Sequence, residues 1–253
     1  MIKKILAITL AFFLGVAVTV TGTTLANPKN DNGVPGFGVY KENYLAWWKE
    51  KAKTDEYAKE KLEEFNQMNK GQQNKFLKST LNSKNAKEML DKWAKGDLPK
   101  NKKVSVGDDG AYVEAKSTTL TTDKGKEIKN VKSLAELPDG SYYYKFVLSG
   151  GYYYGDLELE TTQLWVTVFA TVKDGEITAD NATGGHDNLN PFLHVTDGVS
   201  SAFTQGDWAI GNQPFEIEAS VFGFIDIGFL SRTVNVYAYI DRKEGIGSGW
   251  YEE

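Results

Sequence analysis

The chain has 253 residues, 41% of them hydrophobic and 13% aromatic, with a formal net charge of −5. That length fits one large domain or two small ones with enough apolar side chain for a real core, and the acidic balance excludes a nucleic-acid surface and charge-driven capture of anionic lipid. There is no cysteine, which excludes disulfides, thiolate metal sites and cysteine nucleophiles.

Met1-Ile2-Lys3-Lys4 is a short basic segment, Ile5 to Val20 is apolar and uncharged, and Thr21 to Ala26 turns small and polar. This order is that of an export signal cleaved after Ala26, with Thr24 and Ala26 as the small residues that cleavage requires. The apolar run is shorter than the about 20 residues of a spanning helix, and no basic cluster succeeds it. Residues 1–26 therefore read as a signal peptide of bacterial type. The expected location is secreted, either extracellular or at the cell surface.

Residues 27–39 are rich in Asn, Gly and Pro and read as a flexible lead-in. Residues 40–98 read as a helical unit. Tyr44, Trp47, Trp48, then Tyr57, Ala58, Leu62, Phe65, then Phe76, Leu77, Leu81, then Met89, Leu90, Trp93 recur mostly at helical spacing. Gly71 reads as a break, Ser83 as a cap and Gly96 as a C-terminal stop, which predicts two or three helices. Trp47 and Trp48 lie about 100° apart on a helix. One is expected to dock the helices onto the C-terminal β region, and the other to pack nearby.

Residues 102–253 change to a period of two. Leu164 to Val172 alternates cleanly, as do Phe215 to Val221 and Val234 to Asp241. Asp109-Gly110, Asp139-Gly140, Gly150-Gly151, Asp174-Gly175, Gly184-Gly185 and Asp197-Gly198 read as turns. The expected fold class is α+β, a short N-terminal helical unit followed by an antiparallel all-β sandwich or barrel.

Tyr142-Tyr143-Tyr144 and Tyr152-Tyr153-Tyr154 flank Gly150-Gly151 and predict a hairpin. Alternation would place Tyr142, Tyr144, Tyr152 and Tyr154 on one face, suited to stacking on sugar rings. Aromatic pairs of this kind also stabilise a sheet or plug a core.

The segment Asp180 to Pro191 is polar and Gly-rich and reads as a long loop. Oxygen donors from Asp180, Asp187, Asn188 and Asn190 would suit Ca2+. His186 and Asp187 with His194 would instead form part of a zinc site. Neither set has a standard spacing, and a plain surface loop explains it as well. No other cofactor is expected.

Chemistry needs a base, and the chain has two histidines and no GxSxG elbow. Ser200 and Ser201 lie near His194 in sequence, and Glu158/Glu160 and Glu216/Glu218 each share a strand face, as glycoside hydrolysis would use. A solvated sheet face accounts for such pairs too. Ser117 to Thr122 and Thr161 to Thr171 are Thr-rich and lightly charged, as in barrel-forming membrane proteins, and Gly223 to Leu230 would serve as an insertion tip. The leading expectation is a secreted non-enzymatic protein. It would bind a glycan, a cell-wall polymer or a protein partner through an aromatic β face or a Gly/Asn-rich loop. A membrane-active protein in contact with a bilayer is the first alternative and a secreted hydrolase the second.

Overall fold

The computed structural model describes residues 37–128, 137–154, 157–219, 230–243 and 245–253, without the side chains of 37–40. The expected signal peptide, the lead-in as far as residue 36 and the tip residues 223–229 lie outside the described residues. The chain from Gly38 to Glu253 is one compact unit.

Among the described residues, four helices come first: α1 (Phe37–Lys51), α2 (Glu56–Gln67), α3 (Lys70–Thr80) and α4 (Ser83–Lys95). Short polar side chains start three of them by taking an orphan backbone N–H. Asp55 accepts from Ala58 N, and Asn82 accepts from Lys84 N. Asn69 and Gln72 form a reciprocal capping box. Gly71 sits inside the first turn of α3 instead of breaking it, and Asn82, not Ser83, is the cap of α4. Gly96 ends α4 with φ 69°, the left-handed conformation that glycine adopts without a Cβ clash.

Twelve strands among the described residues come after the helices: β1 (Lys103–Val106), β2 (Ala111–Ser117), β3 (Leu120–Thr122), β4 (Glu127–Ile128), β5 (Gly140–Tyr154), β6 (Leu157–Lys173), β7 (Glu176–Asn188), β8 (Leu193–Asp197), β9 (Ser201–Gln205), β10 (Trp208–Ala219), β11 (Leu230–Asp241) and β12 (Gly245–Glu252). They form two antiparallel sheets. In the first, β5 takes β2 and β3 along one edge and β6 along the other, with β1, β4 and β7 outside. In the second the order is β12-β11-β10, with β8 and β9 sharing the far edge of β10.

The fold is thus α+β with a β-sandwich. Its core follows the predicted alternation. Leu164, Val166, Val168 and Ala170 of β6 are fully buried, as are Phe215 and Ile217 of β10 and Val234, Val236, Ala238 and Ile240 of β11. The sheets approach closely at Gly211, where an added Cβ would lie 2.9 Å from Val168 Cβ and 3.0 Å from Ala182 Cβ. Asp174 (φ 52°) and Gly175 (φ 77°) both take positive φ in the β6–β7 hairpin, the geometry of a two-residue primed turn.

Two of the glycine pairs read as turns lie inside strands. Gly150-Gly151 lies within β5, where the register with β6 shifts past Thr161, the extra residue of a bulge in β6. A Cβ on Gly150 would lie 3.0 Å from Trp93 Cζ2, and one on Gly151 would lie 2.5 Å from Leu159 O. These glycines make room for neighbours. Gly184-Gly185 runs within β7, where a Cβ on Gly184 would overlap Gln213.

The helices form a third layer on this sandwich. Trp48, Phe65 and Phe76 pack together with ring centroids 5.4–6.0 Å apart. Of the two tryptophans expected to dock this layer, Trp47 stacks on Tyr44 with centroids 5.7 Å apart. Trp48 sits inside the helical cluster, donating from Nε1 to Ala58 O at 2.9 Å. Docking falls to other residues. Phe76 meets Tyr152 edge-on at 5.6 Å. The Tyr44 hydroxyl donates to Leu189 O at 3.0 Å, and Trp250 Nε1 donates to Trp93 O at 2.7 Å.

Candidate functional site

The four tyrosines of the predicted aromatic face do not share a solvent surface. Tyr142, Tyr144 and Tyr152 are 4%, 1% and 0% exposed. Tyr142 donates to Pro138 O at 2.6 Å and Tyr144 to Ser248 Oγ at 3.0 Å. Tyr154 donates to Lys75 O at 2.8 Å and also meets Ser79. Burial raises the hydroxyl pKa of all four, that of Tyr154 to about 12. The reason is topological. β5 is one continuous strand whose even positions are buried, Tyr142 and Tyr144 in the sandwich and Tyr152 farther along under the helices. These residues close the core and the helix–sheet seam.

The segment read as a loop is instead a strand, because Asp180 to Asn188 belongs to β7. Neighbours on a strand point to opposite faces, so the donors disperse. Asp180 accepts from Thr171 at 2.8 Å, Asp187 accepts from Gln163 at 2.6 Å, and His186 Nδ1 lies 2.7 Å from Asp197 Oδ1. Asn188 accepts from Thr162 at 2.8 Å, and Asn190 Oδ1 accepts from Phe192 N at 3.0 Å. Among the described residues no group of three His, Cys, Asp or Glu side chains is placed to hold a metal ion.

The Glu158/Glu160 pair is engaged on a sheet surface. Glu158 meets Lys103 and the Tyr112 hydroxyl, and Glu160 lies 2.7 Å from Lys116 Nζ. Partial burial opposes the Glu158 charge, but the Lys103 and Tyr112 contacts outweigh it and hold its pKa below the usual value. Ser200 donates to Gln213 Oε1. The Thr-rich run of β6 contributes buried Thr161, Thr162 and Thr167. Among the described residues no helix is long and apolar enough to cross a membrane.

A different surface stands out. Among the described residues, the large hydrophobic side chains left exposed are Leu157, Val199, Phe203, Trp208 and Tyr251. The three aromatics of that set all lie on the outer face of the five-stranded sheet. Odd positions of β10 are buried against the other sheet, so Trp208, Ile210, Asn212 and Pro214 point outward. Register then builds the face row by row. Phe203, Ile210, Tyr239 and Gly247 stand opposite one another, as do Ser201, Asn212, Tyr237 and Gly249, and then Pro214, Asn235 and Tyr251.

Trp208 stacks on Tyr239 with centroids 5.2 Å apart and planes 18° from parallel. Tyr237 and Tyr251 are 6.3 Å apart. Tyr237 and Tyr239 are two residues apart on β11, about 6.8 Å by strand rise. The four rings therefore step diagonally across β10, β11 and β12. Glycine makes this possible, because a Cβ on Gly247 would lie 2.1 Å from Tyr239 Cζ, and one on Gly249 would lie 2.4 Å from the Tyr237 hydroxyl oxygen. The tyrosines lean across β12 over a bed without side chains. Phe203, Trp208 and Tyr251 are 48%, 41% and 47% exposed.

Sequence reasoning missed this face, although its signal is present. Tyr237 and Tyr239 alternate with Val236 and Ala238, and Gly245, Gly247 and Gly249 alternate with Ile246, Ser248 and Trp250. Two facing strands of period two, one aromatic and one glycine, predict such a bed. No known protein family, curated protein or solved structure matches the chain.

Proposed function

We propose that this chain is exported and acts outside the cell as a non-enzymatic carbohydrate-binding protein. Its binding surface is the aromatic row Trp208, Tyr239, Tyr237 and Tyr251, with Phe203 at its margin. The single observation that carries this reading is the exposed, near-parallel Trp208–Tyr239 stack. A ring fixed by its neighbour loses little entropy when a ligand covers it, and Trp and Tyr give large contact area with few rotatable bonds. An exposed apolar patch on a soluble sheet marks an interaction site more often than isolated apolar residues do.

Binding is favoured over hydrolysis by the Glu158/Glu160 pair because both carboxylates are held by Lys103, Tyr112 and Lys116 and the Glu158 pKa is lowered, the opposite of what a general acid needs. It is favoured over membrane insertion because the alternating apolar residues of β6 are already buried between the sheets.

The test is co-sedimentation of the purified protein with cell-wall sacculi and, in parallel, with liposomes. Pelleting with sacculi is expected. Trp208→Ala is expected to weaken it about 30-fold, the effect of losing a roughly 2 kcal/mol hot spot. Pelleting with liposomes alone, or unchanged sacculus binding by Trp208→Ala, refutes the reading.

A further inference from the structure

We infer that the polymer held by this face is cationic, a polysaccharide whose amino sugars carry free amines. This rests on the carbohydrate-binding reading and names the class of sugar. The outward side of β10 runs Trp208, Ile210, Asn212, Pro214, Glu216 and Glu218, so two carboxylates continue the face beyond the rings. Glu216 stands between Thr196 and Thr233, and Glu218 between His194 and Ser231. Neither carboxylate has an ion pair or a hydrogen bond among the described residues. No Lys or Arg is paired with any position on this side of β10.

The cations of the border lie at the other end. Arg242 and Lys243 both reach Asp207, beside Trp208, at 3.0 and 2.6 Å. Glu216 is about 27 Å from Trp208 by strand rise, well beyond the Debye length of about 8 Å at physiological salt. Asp241, opposite Trp208, is buried and accepts from Lys243 N at 2.7 Å. The negative charge open to a ligand therefore gathers at Glu216 and Glu218.

Between the rings and these carboxylates stands Asn235, across from Pro214 and Tyr251. Alternation puts its side chain on the outward side of β11. It is 2% exposed, and its Nδ2 has no hydrogen-bond partner. A buried amide donor is ordinarily paired, and a hydroxyl or ring oxygen of a sugar lying over this row would accept from it.

A sugar ring with equatorial substituents turns C–H groups to the π-faces of the aromatic row. A protonated amine adds attraction to Trp and Tyr faces and to the two carboxylates, on a chain whose net charge is −5. An anionic polymer would meet only like charge there. From Tyr251 to Glu216 is one row along and two strands across, about 12 Å between backbones. One sugar does not span that distance, and a chain of sugars does. The carboxylate contacts fade with salt, while the ring contacts persist.

The experiment measures binding isotherms of the full chain on cross-linked chitosan beads and on the same beads after acetylation of their amines. At about pH 5.5 the sugar amines are protonated and an ordinary Glu is ionised. Acetylation is expected to weaken binding at least fivefold. Glu216→Gln/Glu218→Gln is expected to weaken binding to the amine beads by a similar factor, and high salt to do the same. Glu42→Gln/Glu63→Gln, on exposed positions of α1 and α2, changes the net charge equally and is expected to leave binding unaltered. Trp208→Ala is expected to weaken binding to both beads. Equal binding to both beads, lost in Trp208→Ala, overturns the cationic class and leaves the carbohydrate face standing. An amine preference that Glu216→Gln/Glu218→Gln keeps, or that both double variants reduce alike, also overturns it, because net charge then accounts for the preference. Binding to neither bead, or binding that Trp208→Ala keeps in full, overturns the inference together with the face.

Discussion

Replacing Gly247 by Ala separates the aromatic face from the fold that carries it. The new Cβ would lie 2.1 Å from both Cζ and the hydroxyl oxygen of Tyr239. Carbon atoms rest at about 3.5 Å or more, so the ring must move by about 1.4 Å. That displacement breaks the 5.2 Å stack with Trp208 and removes about 0.5–1.5 kcal/mol of aromatic pairing. Against this, alanine in a strand interior recovers about 0.5–1 kcal/mol of the conformational entropy that glycine loses. Gly247 is not among the glycines with positive φ, so the backbone accepts the change. The two effects nearly cancel, and Tm should move by only about 2–4 °C. Binding, in contrast, should weaken by roughly tenfold or more, because a misplaced anchor loses a contact of hot-spot size. Near-UV circular dichroism and polysaccharide retardation, measured on one preparation, check both arms. A variant that keeps its aromatic dichroism and its affinity refutes the claim that this stack is fixed by the glycine bed and used for binding.

Trp93→Ala should cost about 3–5 kcal/mol, because it empties a fully buried site between α4 and Gly150. Calorimetry should show one transition lowered by on the order of 10 °C. Two separate transitions would show that the helical layer folds apart from the sandwich. Tyr144→Phe should lose about 1 kcal/mol with its bond to Ser248. Tyr152→Phe should be neutral or slightly stabilising in urea unfolding, since the Tyr152 hydroxyl is buried near Thr80 and Asn190 without meeting either at hydrogen-bonding geometry. For Glu158, burial disfavours the charge but Lys103 and Tyr112 lower the folded pKa below 4.5. A carboxylate with a depressed folded pKa stabilises above its unfolded value and loses that contribution as pH falls through the folded one. The Tm difference between the protein and Glu158→Gln should therefore be present at neutral pH and vanish on acidification below about pH 4.5. A difference that persists in acid would contradict the ion pair.

The sequence by itself determined where helix gives way to strand, and which side of β6, β10 and β11 is apolar. Leu164 to Val172 and Val234 to Ile240 read correctly because alternation is a local property that burial merely uses. Gly96 and Asp174-Gly175 read correctly because positive φ is a demand of the local backbone. Trp208, Tyr239 and Gly247 come from three strands, and only their hydrogen-bonded register makes them neighbours. The Tyr142–Tyr154 segment shows the same limit from the other side. Its glycines are compatible with a turn and with a close approach, and the choice was made by Trp93, far away in the chain. Likewise Asp180 to Asn190 has the composition of a loop, yet pairing with β6 draws most of it into a strand and points its donors apart. Composition and period fix local conformation and sidedness. Which faces meet, and which one is left to solvent, is decided by packing between residues distant in sequence.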